Sequence, residues 1–193
     1  MTLFAIVGHI ARTDGGFSLN DLPGTGGRMD VLCRCVSASF FLSHDLRRDV
    51  DCCLVLCGEP AGPKTLKFSG SVLRSLSPDE RSAGALIKKA LDTVTGSEFR
   101  EAAAGVFVRR GGLDRLLAEH RFAVLDEKGT DIRSTEHLPE AFLLSDHQNF
   151  TEQEESLVAD CPRYSVGPRC LHADHTITVL QNELDRRREN ENR

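Results

Sequence analysis

The chain has 193 residues, of which 40% are hydrophobic and 27% are charged, and its formal net charge is −5 at pH 7. These values indicate one sizeable globular domain, or one domain with an appendage, and exclude a protein that attracts nucleic acid through an overall basic field. No run of about 20 apolar residues marks a membrane span, and the N-terminus lacks the basic start of a signal peptide, so we expect a cytoplasmic protein.

The charge is unevenly distributed. Residues 1–96 have a net charge of +1 and residues 97–193 a net charge of −6. A nucleic-acid-binding surface is therefore expected to draw mainly on residues 1–96, as a local basic patch.

The first part of the chain alternates predicted buried strands with a loop and a helix. Leu3 to Val7 and Asp51 to Cys57 are apolar runs that predict strands, and Met29 to Ser43 has helical periodicity. The loop between them, residues 9–28, which we call the glycine-rich loop, contains Gly24-Thr-Gly-Gly27, which is not a Gly-x-Gly-x-x-Gly fingerprint. The pattern therefore disfavours a dinucleotide or P-loop site.

The middle of the chain contains a hairpin signal and two helix signals. Thr65 to Phe68 and Val72 to Leu76 flank a Ser-Gly turn and predict a β-hairpin. Ser77 is the predicted N-cap of a helix that reaches about Val94. A second short helix is predicted from Ser97 to just before Gly105.

The second half continues the alternation, with a predicted turn at Lys128-Gly129. Helices are predicted at 112–119, at 152–160 and from near Asp174, with a charged tail that frays from Arg186, and strands at 106–108, 122–125, 141–144 and 164–166. This alternation predicts a single α/β domain spanning residues 1–193, with a mostly parallel sheet and helices on both faces.

No metal site is expected. Seven cysteines lack Cys-x-x-Cys or zinc-type spacing and are expected to be mostly small buried apolar residues. His172-Ala-Asp-His175 offers two imidazoles, but no third ligand has a clear claim to complete a site.

The order and spacing of several motifs resemble the TrmY family of SPOUT methyltransferases, which N1-methylate pseudouridine 54 of tRNA. The motifs are Gly8-His-Ile-Ala-Arg-Thr13, Phe17-Ser-Leu-Asn-Asp-Leu-Pro-Gly24, Gly27-Arg-Met-Asp-Val-Leu-Cys-Arg34, Ser77-Pro-Asp-Glu-Arg-Ser82, Leu86-Ile-Lys-Lys-Ala-Leu91, Phe142-Leu-Leu-Ser-Asp-His147, Tyr164-Ser-Val-Gly-Pro168 and Asn182-Glu-Leu-Asp-Arg186.

The resemblance implies an α/β knot fold with a C-terminal trefoil knot, S-adenosylmethionine as the methyl donor, a homodimer and a cofactor-binding knot within residues 141–186. Ligands dock at the carboxyl ends of parallel strands, where backbone groups can contact adenine and ribose. The expected cofactor-binding residues are Leu143, Leu144, Ser145, Ser165, Val166, Gly167, Leu171, His172 and Thr176. Family members often have a Cys where this chain has Thr176.

The resembling motifs also contain candidates for catalysis and RNA binding. N1 of pseudouridine is a nucleophile only when its proton leaves, and the candidate bases are Asp30, Asp79 and Asp146. Phosphates or uracil carbonyls can be bound by Arg12, Arg28, Arg34 and Arg81. Asp79 and Asp146 can instead cap helices, and Asp30 can instead form an i, i+4 pair with Arg34.

Two alternatives to tRNA methylation remain open at this point. The chain can methylate a pseudouridine in another RNA, such as ribosomal RNA, or it can be a non-catalytic RNA-binding or assembly factor on the same fold. Binding of S-adenosylmethionine separates the enzymes from the non-catalytic factor.

Overall fold

The computed structural model describes residues 1–191, with side chains described for residues 1–190. The strands are Thr2–Gly8 (β1), Val50–Leu56 (β2), Lys64–Ser69 (β3), Arg100–Ala103 (β4), Val106–Arg110 (β5), Ala123–Asp131 (β6), Ala141–Ser145 (β7) and Arg163–Ser165 (β8). The helices are Leu22–Thr25 (α1), Met29–Phe40 (α2), Glu80–Leu91 (α3), Leu113–Glu119 (α4), Glu152–Leu157 (α5) and Ala173–Glu191 (α6).

All eight strands form one sheet in the order β4-β5-β3-β2-β1-β7-β6-β8. Five neighbouring strands pair in parallel, in the order β2, β1, β7, β6 and β8. The strands β3, β5 and β4 extend the sheet beyond β2 with antiparallel pairing. The predicted mostly parallel α/β sheet is therefore confirmed. The carboxyl ends of the parallel strands meet at one side of the sheet, which we call the carboxyl edge.

Helices cover both faces of the sheet, as predicted. Alternation along β1 places Phe4 and Ile6 in a core with α2, α3 and α6, while Ala5 and Val7 face the opposite side with α4. Each face therefore buries its own apolar cluster. No helix within residues 1–191 is long and apolar enough to cross a membrane.

Two predicted elements in the middle of the chain are wrong. Residues 72–76 form no strand, because both edges of β3 are already occupied by β2 and β5. The stretch from Ser97 contains β4 and no helix. Gly105, at φ +79°, turns the chain so that β4 pairs with β5, and this pairing overrides the helical preference of the Glu-Ala-Ala-Ala run.

Helix boundaries differ from the predictions where side chains supply other caps. Helix α3 is capped by Asp79, whose carboxylate accepts from the Ser82 N–H at 2.7 Å, so the predicted Ser77 cap is wrong. The Thr151 capping box of α5 is present, as predicted. Helix α6 continues through Glu191, where fraying was expected, and residues 192–193 lie outside the described part of the chain.

The segment 126–136 packs against both β8 and α6. Tyr164 is the register partner of both Leu125 and Thr130, so the residues between them leave the ladder, where a turn was predicted. At the other end of the segment, the Arg187 guanidinium donates to three backbone carbonyls, those of Ile132, Thr135 and Glu136. The same short stretch therefore holds the last strand and the last helix in place.

Gly129 should tolerate no side chain. A Cβ there would lie 2.6 Å from the backbone of Arg163 and of Tyr164, closer than packed atoms allow. We expect Gly129→Ala to lower the free energy of unfolding by about 1–3 kcal/mol in urea titrations. Gly96→Ala is the matched control, because its Cβ meets nothing within 4 Å; equal effects of the two changes would contradict the close packing of residue 129 on β8.

Candidate functional site

A cavity of about 430 Å³ lies at the carboxyl edge, between residues 124–128 of β6, the ends of β7 and β8, and the start of α6. This volume is typical of a site for a small organic ligand. Seven of the nine predicted cofactor residues line it: Leu144, Ser145, Ser165, Val166, Gly167, Leu171 and Thr176. The cavity therefore brings together two stretches that lie about 20 residues apart in the sequence.

The other two predicted cofactor residues do not line the cavity. Leu143 precedes Leu144 on β7, and strand alternation turns it into the opposite apolar cluster. The ring of His172 is exposed and packs edge-on against that of His175, with 5.8 Å between centroids. The His172 carbonyl accepts from the Thr176 backbone N–H at 2.9 Å, which starts α6.

The two cavity serines use their hydroxyls to shape loops. The Ser145 hydroxyl donates to the carbonyl of Gln148. The Ser165 hydroxyl donates to the Gly167 carbonyl at 2.6 Å and accepts from the Gly167 N–H at 3.2 Å. Any contribution of these serines to a ligand therefore comes from backbone groups more than from their hydroxyls.

The cavity has an apolar side and a charged side. Leu125, Leu144, Val166, Leu171 and Ala173 supply the apolar side. On the charged side, the Arg163 guanidinium donates to Asp126 at 2.8 Å and also to Glu155. These three charged residues were missed by the sequence analysis, because they lie on separate elements and match no motif.

Gly167 leaves room in the cavity. Its backbone does not have a positive φ, and a Cβ built there meets no heavy atom within 4 Å. A larger side chain at this position would therefore take up cavity space without straining the loop.

A buried clamp centred on His9 holds one wall of the cavity. His9 Nδ1 lies 2.8 Å from Asp146 Oδ1, its backbone N–H donates to Asp146 Oδ2 at 3.0 Å, and its Nε2 lies 2.9 Å from Glu154 Oε2. The side chains of His9, Asp146 and Glu154 are only 7%, 2% and 14% exposed. The clamp joins the end of β1 to the end of β7 and to α5.

The contacts of the clamp favour a positive charge on His9 and a negative charge on Asp146. The hydrogen bond to Asp146 raises the pKa of His9 above its ordinary value of 6.5, against the effect of burial. Burial raises the pKa of Asp146, but hydrogen bonds from His9 and from the Gln148 N–H outweigh it and hold that pKa below 3.8. A carboxylate with several donors and a lowered pKa is a weak proton acceptor, so this geometry favours a positioning role for Asp146.

Asp30 is the centre of a second charged network. Its carboxylate accepts from Arg28 Nε at 3.1 Å and from Arg34 Nη1 at 3.0 Å. Burial alone would raise the pKa of Asp30, but these two guanidiniums hold it below 3.8. Arg34 also donates to Glu80 and lies 3.7 Å from Asp174 on α6, so the network connects the glycine-rich loop to the start of α6.

The remaining predicted residues also have partners within the chain. Arg12 pairs with Asp14 at 2.7 Å, Arg81 donates to the Asn20 side chain, and Asp79 caps α3. RNA binding by the four arginines and proton transfer by the three aspartates remain predictions. Within the described residues, no three His, Cys, Asp or Glu side chains form a group that could hold a metal ion.

The clamp should make stability depend on pH. Because the pKa of His9 is raised in the fold, its contribution is complete below pH 6.5 and is lost as the pH rises through the folded value. Asp146 behaves in the opposite way: its contribution to stability is complete above pH 3.8 and is lost as the pH falls through its lowered pKa. We therefore expect His9→Gln to lose most stability near pH 6 and progressively less at higher pH.

Urea unfolding between pH 5.5 and 9 measures this difference. Asp146 and Glu154 are the acids that face His9, while His147 and the Cys57 thiol lie in the same electrostatic neighbourhood. His44, which is exposed and has no described partner among residues 1–190, provides the control variant His44→Gln. A pH-independent difference between the wild-type protein and His9→Gln would contradict a charged clamp.

The chain is similar to several tRNA (pseudouridine(54)-N(1))-methyltransferases. It is 62% identical over 193 residues to the enzyme of that name from Methanocorpusculum labreanum, covering 98% of this chain and 99% of the relative. It is 53% identical over 190 residues to the one from Methanospirillum hungatei, covering 97% and 98%. These relatives confirm the resemblance indicated by the sequence motifs.

The fold is also found in a solved structure, that of Archaeoglobus fulgidus Nep1 bound to S-adenosylhomocysteine. The TM-score is 0.64 at 11% sequence identity, over 97% of this chain and 99% of that one, which shows a shared fold. A family model described as a putative SAM-dependent RNA methyltransferase matches residues 1–189. The chain belongs to this family of putative SAM-dependent RNA methyltransferases.

Proposed function

We propose that this protein transfers a methyl group from S-adenosylmethionine to N1 of pseudouridine 54 in the T-loop of tRNA. The observation that carries the proposal is the cavity at the carboxyl edge, lined by seven of the nine residues expected to hold the cofactor. The names of the similar proteins favour this substrate over a pseudouridine in ribosomal RNA.

The cavity suits S-adenosylmethionine in size and in the chemistry of its walls. Leu144, Val166 and Leu171 offer an apolar side for the adenine ring, and the loop after β8 offers backbone groups for its polar edge and for the ribose. Gly167 leaves room beside this loop. When bound, the cofactor supplies an electrophilic methyl group on its sulfonium sulfur.

In this proposal the side chains act mainly by positioning. Methyl transfer needs the acceptor nitrogen in line with the donor, and a correctly held pair reacts far faster than free reactants. Asp146 and Asp30 hold lowered pKa values, so they suit anchoring of loops and arginines better than removal of the N1 proton. Arg28 and Arg34 lie between the glycine-rich loop and α6, where they can reach an incoming RNA.

The proposal includes a C-terminal trefoil knot, a homodimer and a cytoplasmic location. Packing of the segment 126–136 against both β8 and α6 supports a knotted C-terminal unit. Leu157 and Leu171 are exposed apolar side chains close to this unit, and a second copy of the chain would cover them.

Methyl transfer to tRNA transcripts tests the substrate. We expect incorporation into a transcript with pseudouridine at position 54 and none into a matched transcript with uridine there, because the uridine ring joins its ribose through N1. Radiolabelled S-adenosylmethionine followed by nucleoside analysis measures the product. Equal transfer to both transcripts, or to neither, would contradict the proposal.

Substitution of Gly167 tests the cofactor cavity. We expect Gly167→Leu to weaken S-adenosylmethionine binding at least 10-fold in calorimetry, because the side chain takes up ligand space, while the melting temperature changes little. Gly96→Leu is the matched control, since a Cβ at Gly96 also meets nothing within 4 Å and Gly96 lies outside the cavity. Unchanged affinity in Gly167→Leu would place the cofactor elsewhere.

A further inference from the structure

Four basic side chains on the carboxyl edge lack the partners that most others have. Within residues 1–190, the arginines predicted to bind RNA are all bonded to side chains of the same chain. In the same part of the chain, no ion pair or hydrogen bond engages the side chains of Lys64, Arg110, Lys128 and Arg169. Lys128 and Arg169 line the cofactor cavity, whereas Lys64 and Arg110 line a separate groove.

This second groove has a volume of about 650 Å³ and lies at the other end of the carboxyl edge. It is bounded by the start of β3, the end of β5 and the segment 92–95 after α3. Thr95 adds a hydroxyl, whereas the Thr93 hydroxyl donates to the Lys89 carbonyl at 3.0 Å. Asp92 is the single acidic residue among the lining residues. The groove is open, and its charged lining consists of two cationic side chains and one carboxylate.

Lys64 and Arg110 form an unfavourable pair in the free protein. They are register partners on the antiparallel strands β3 and β5, which places their Cα atoms about 5 Å apart. Like charges directly opposite each other destabilise a sheet. The Lys64 charge also acts on Asp14, but the Asp14 carboxylate is already bonded to Arg12. An anion bound between the two side chains would relieve the repulsion.

The groove lies within reach of an RNA held at the cofactor cavity. Strands β3 and β7 are separated by β2 and β1, so three strand spacings of about 4.8 Å put their ends roughly 15 Å apart. Both sites open at the same edge of the sheet. A folded RNA that presents one nucleotide at the cavity would therefore pass its backbone near Lys64 and Arg110.

We propose that the groove lined by Lys64 and Arg110 binds backbone phosphates of the tRNA, outside the nucleotide that is methylated. This inference rests on the proposed function, since it takes tRNA as the substrate. The partner is a phosphodiester backbone because the groove offers two cationic side chains and the Thr95 hydroxyl, while its lining residues include no aromatic side chain on which a base could stack.

The test variant is Lys64→Gln/Arg110→Gln, and its tRNA affinity is measured by anisotropy at several salt concentrations. Loss of two phosphate contacts should raise the Kd about 10-fold and lower the slope of log K against log salt by about 1.5. The Kd for S-adenosylmethionine and the single-turnover rate at saturating tRNA should not change. Lys64→Arg, which keeps the charge, should bind tRNA like the wild type.

The matched control is Arg74→Gln/Arg121→Gln. It removes the same charge from two exposed arginines whose side chains have no described partner among residues 1–190 and which lie at the opposite edge of the sheet. The control should keep the wild-type Kd and salt slope. An unchanged Kd in the test variant, or an equal loss of tRNA affinity in the control, would overturn the proposal that the groove binds phosphates.

Failure of this inference can be told from failure of the proposed function. If the wild-type protein binds tRNA with this salt dependence but transfers no methyl group, the phosphate-binding groove is supported and the proposed enzymatic function is contradicted. If the wild-type protein methylates tRNA while the test variant binds tRNA normally, the proposed enzymatic function is supported and the phosphate-binding groove is contradicted. A wild-type protein that does not bind tRNA would overturn both.

Discussion

A single buried imidazole joins the ends of β1 and β7 to α5 at the carboxyl edge of the sheet. His9 follows β1, Asp146 follows β7 and Glu154 lies in α5, and their side chains meet where little water reaches them. Buried charges are stable only when paired and hydrogen-bonded, so removal of one partner would leave the others uncompensated. The loop that forms one wall of the cavity therefore depends on a residue that does not line the cavity.

Basic side chains along this edge differ in whether they have partners within the chain. Arg28 and Arg34 are tied to Asp30, and Arg34 also contacts Glu80 and Asp174, which connects the glycine-rich loop to the start of α6. An RNA that bound Arg34 would therefore act on the start of α6. Farther along the edge, the side chains of Lys64 and Arg110 have no such partners, so they are available to bind a phosphate. A protein of net charge −5 can thus present local basic sites.

Strand periodicity was sufficient to predict where the cavity lies but not which contacts stabilise its walls. Leu144 and Gly167 follow from two apolar runs, because parallel strands end at a common edge. His9 and Glu154 are 145 residues apart, and no local pattern pairs them. Glu101 lies in a run that suits a helix, yet pairing with β5 makes it a strand. Contacts set by the sheet, which depend on the whole chain, account for these differences.

Hydrogen exchange with and without S-adenosylmethionine tests most directly whether the carboxyl edge is the cofactor site. We expect slower exchange in residues 144–150 and 165–173, which form the loops around the cavity, and no change in α4 on the other side of the sheet. Protection confined to segments away from these loops, or no protection at saturating cofactor, would contradict this expectation.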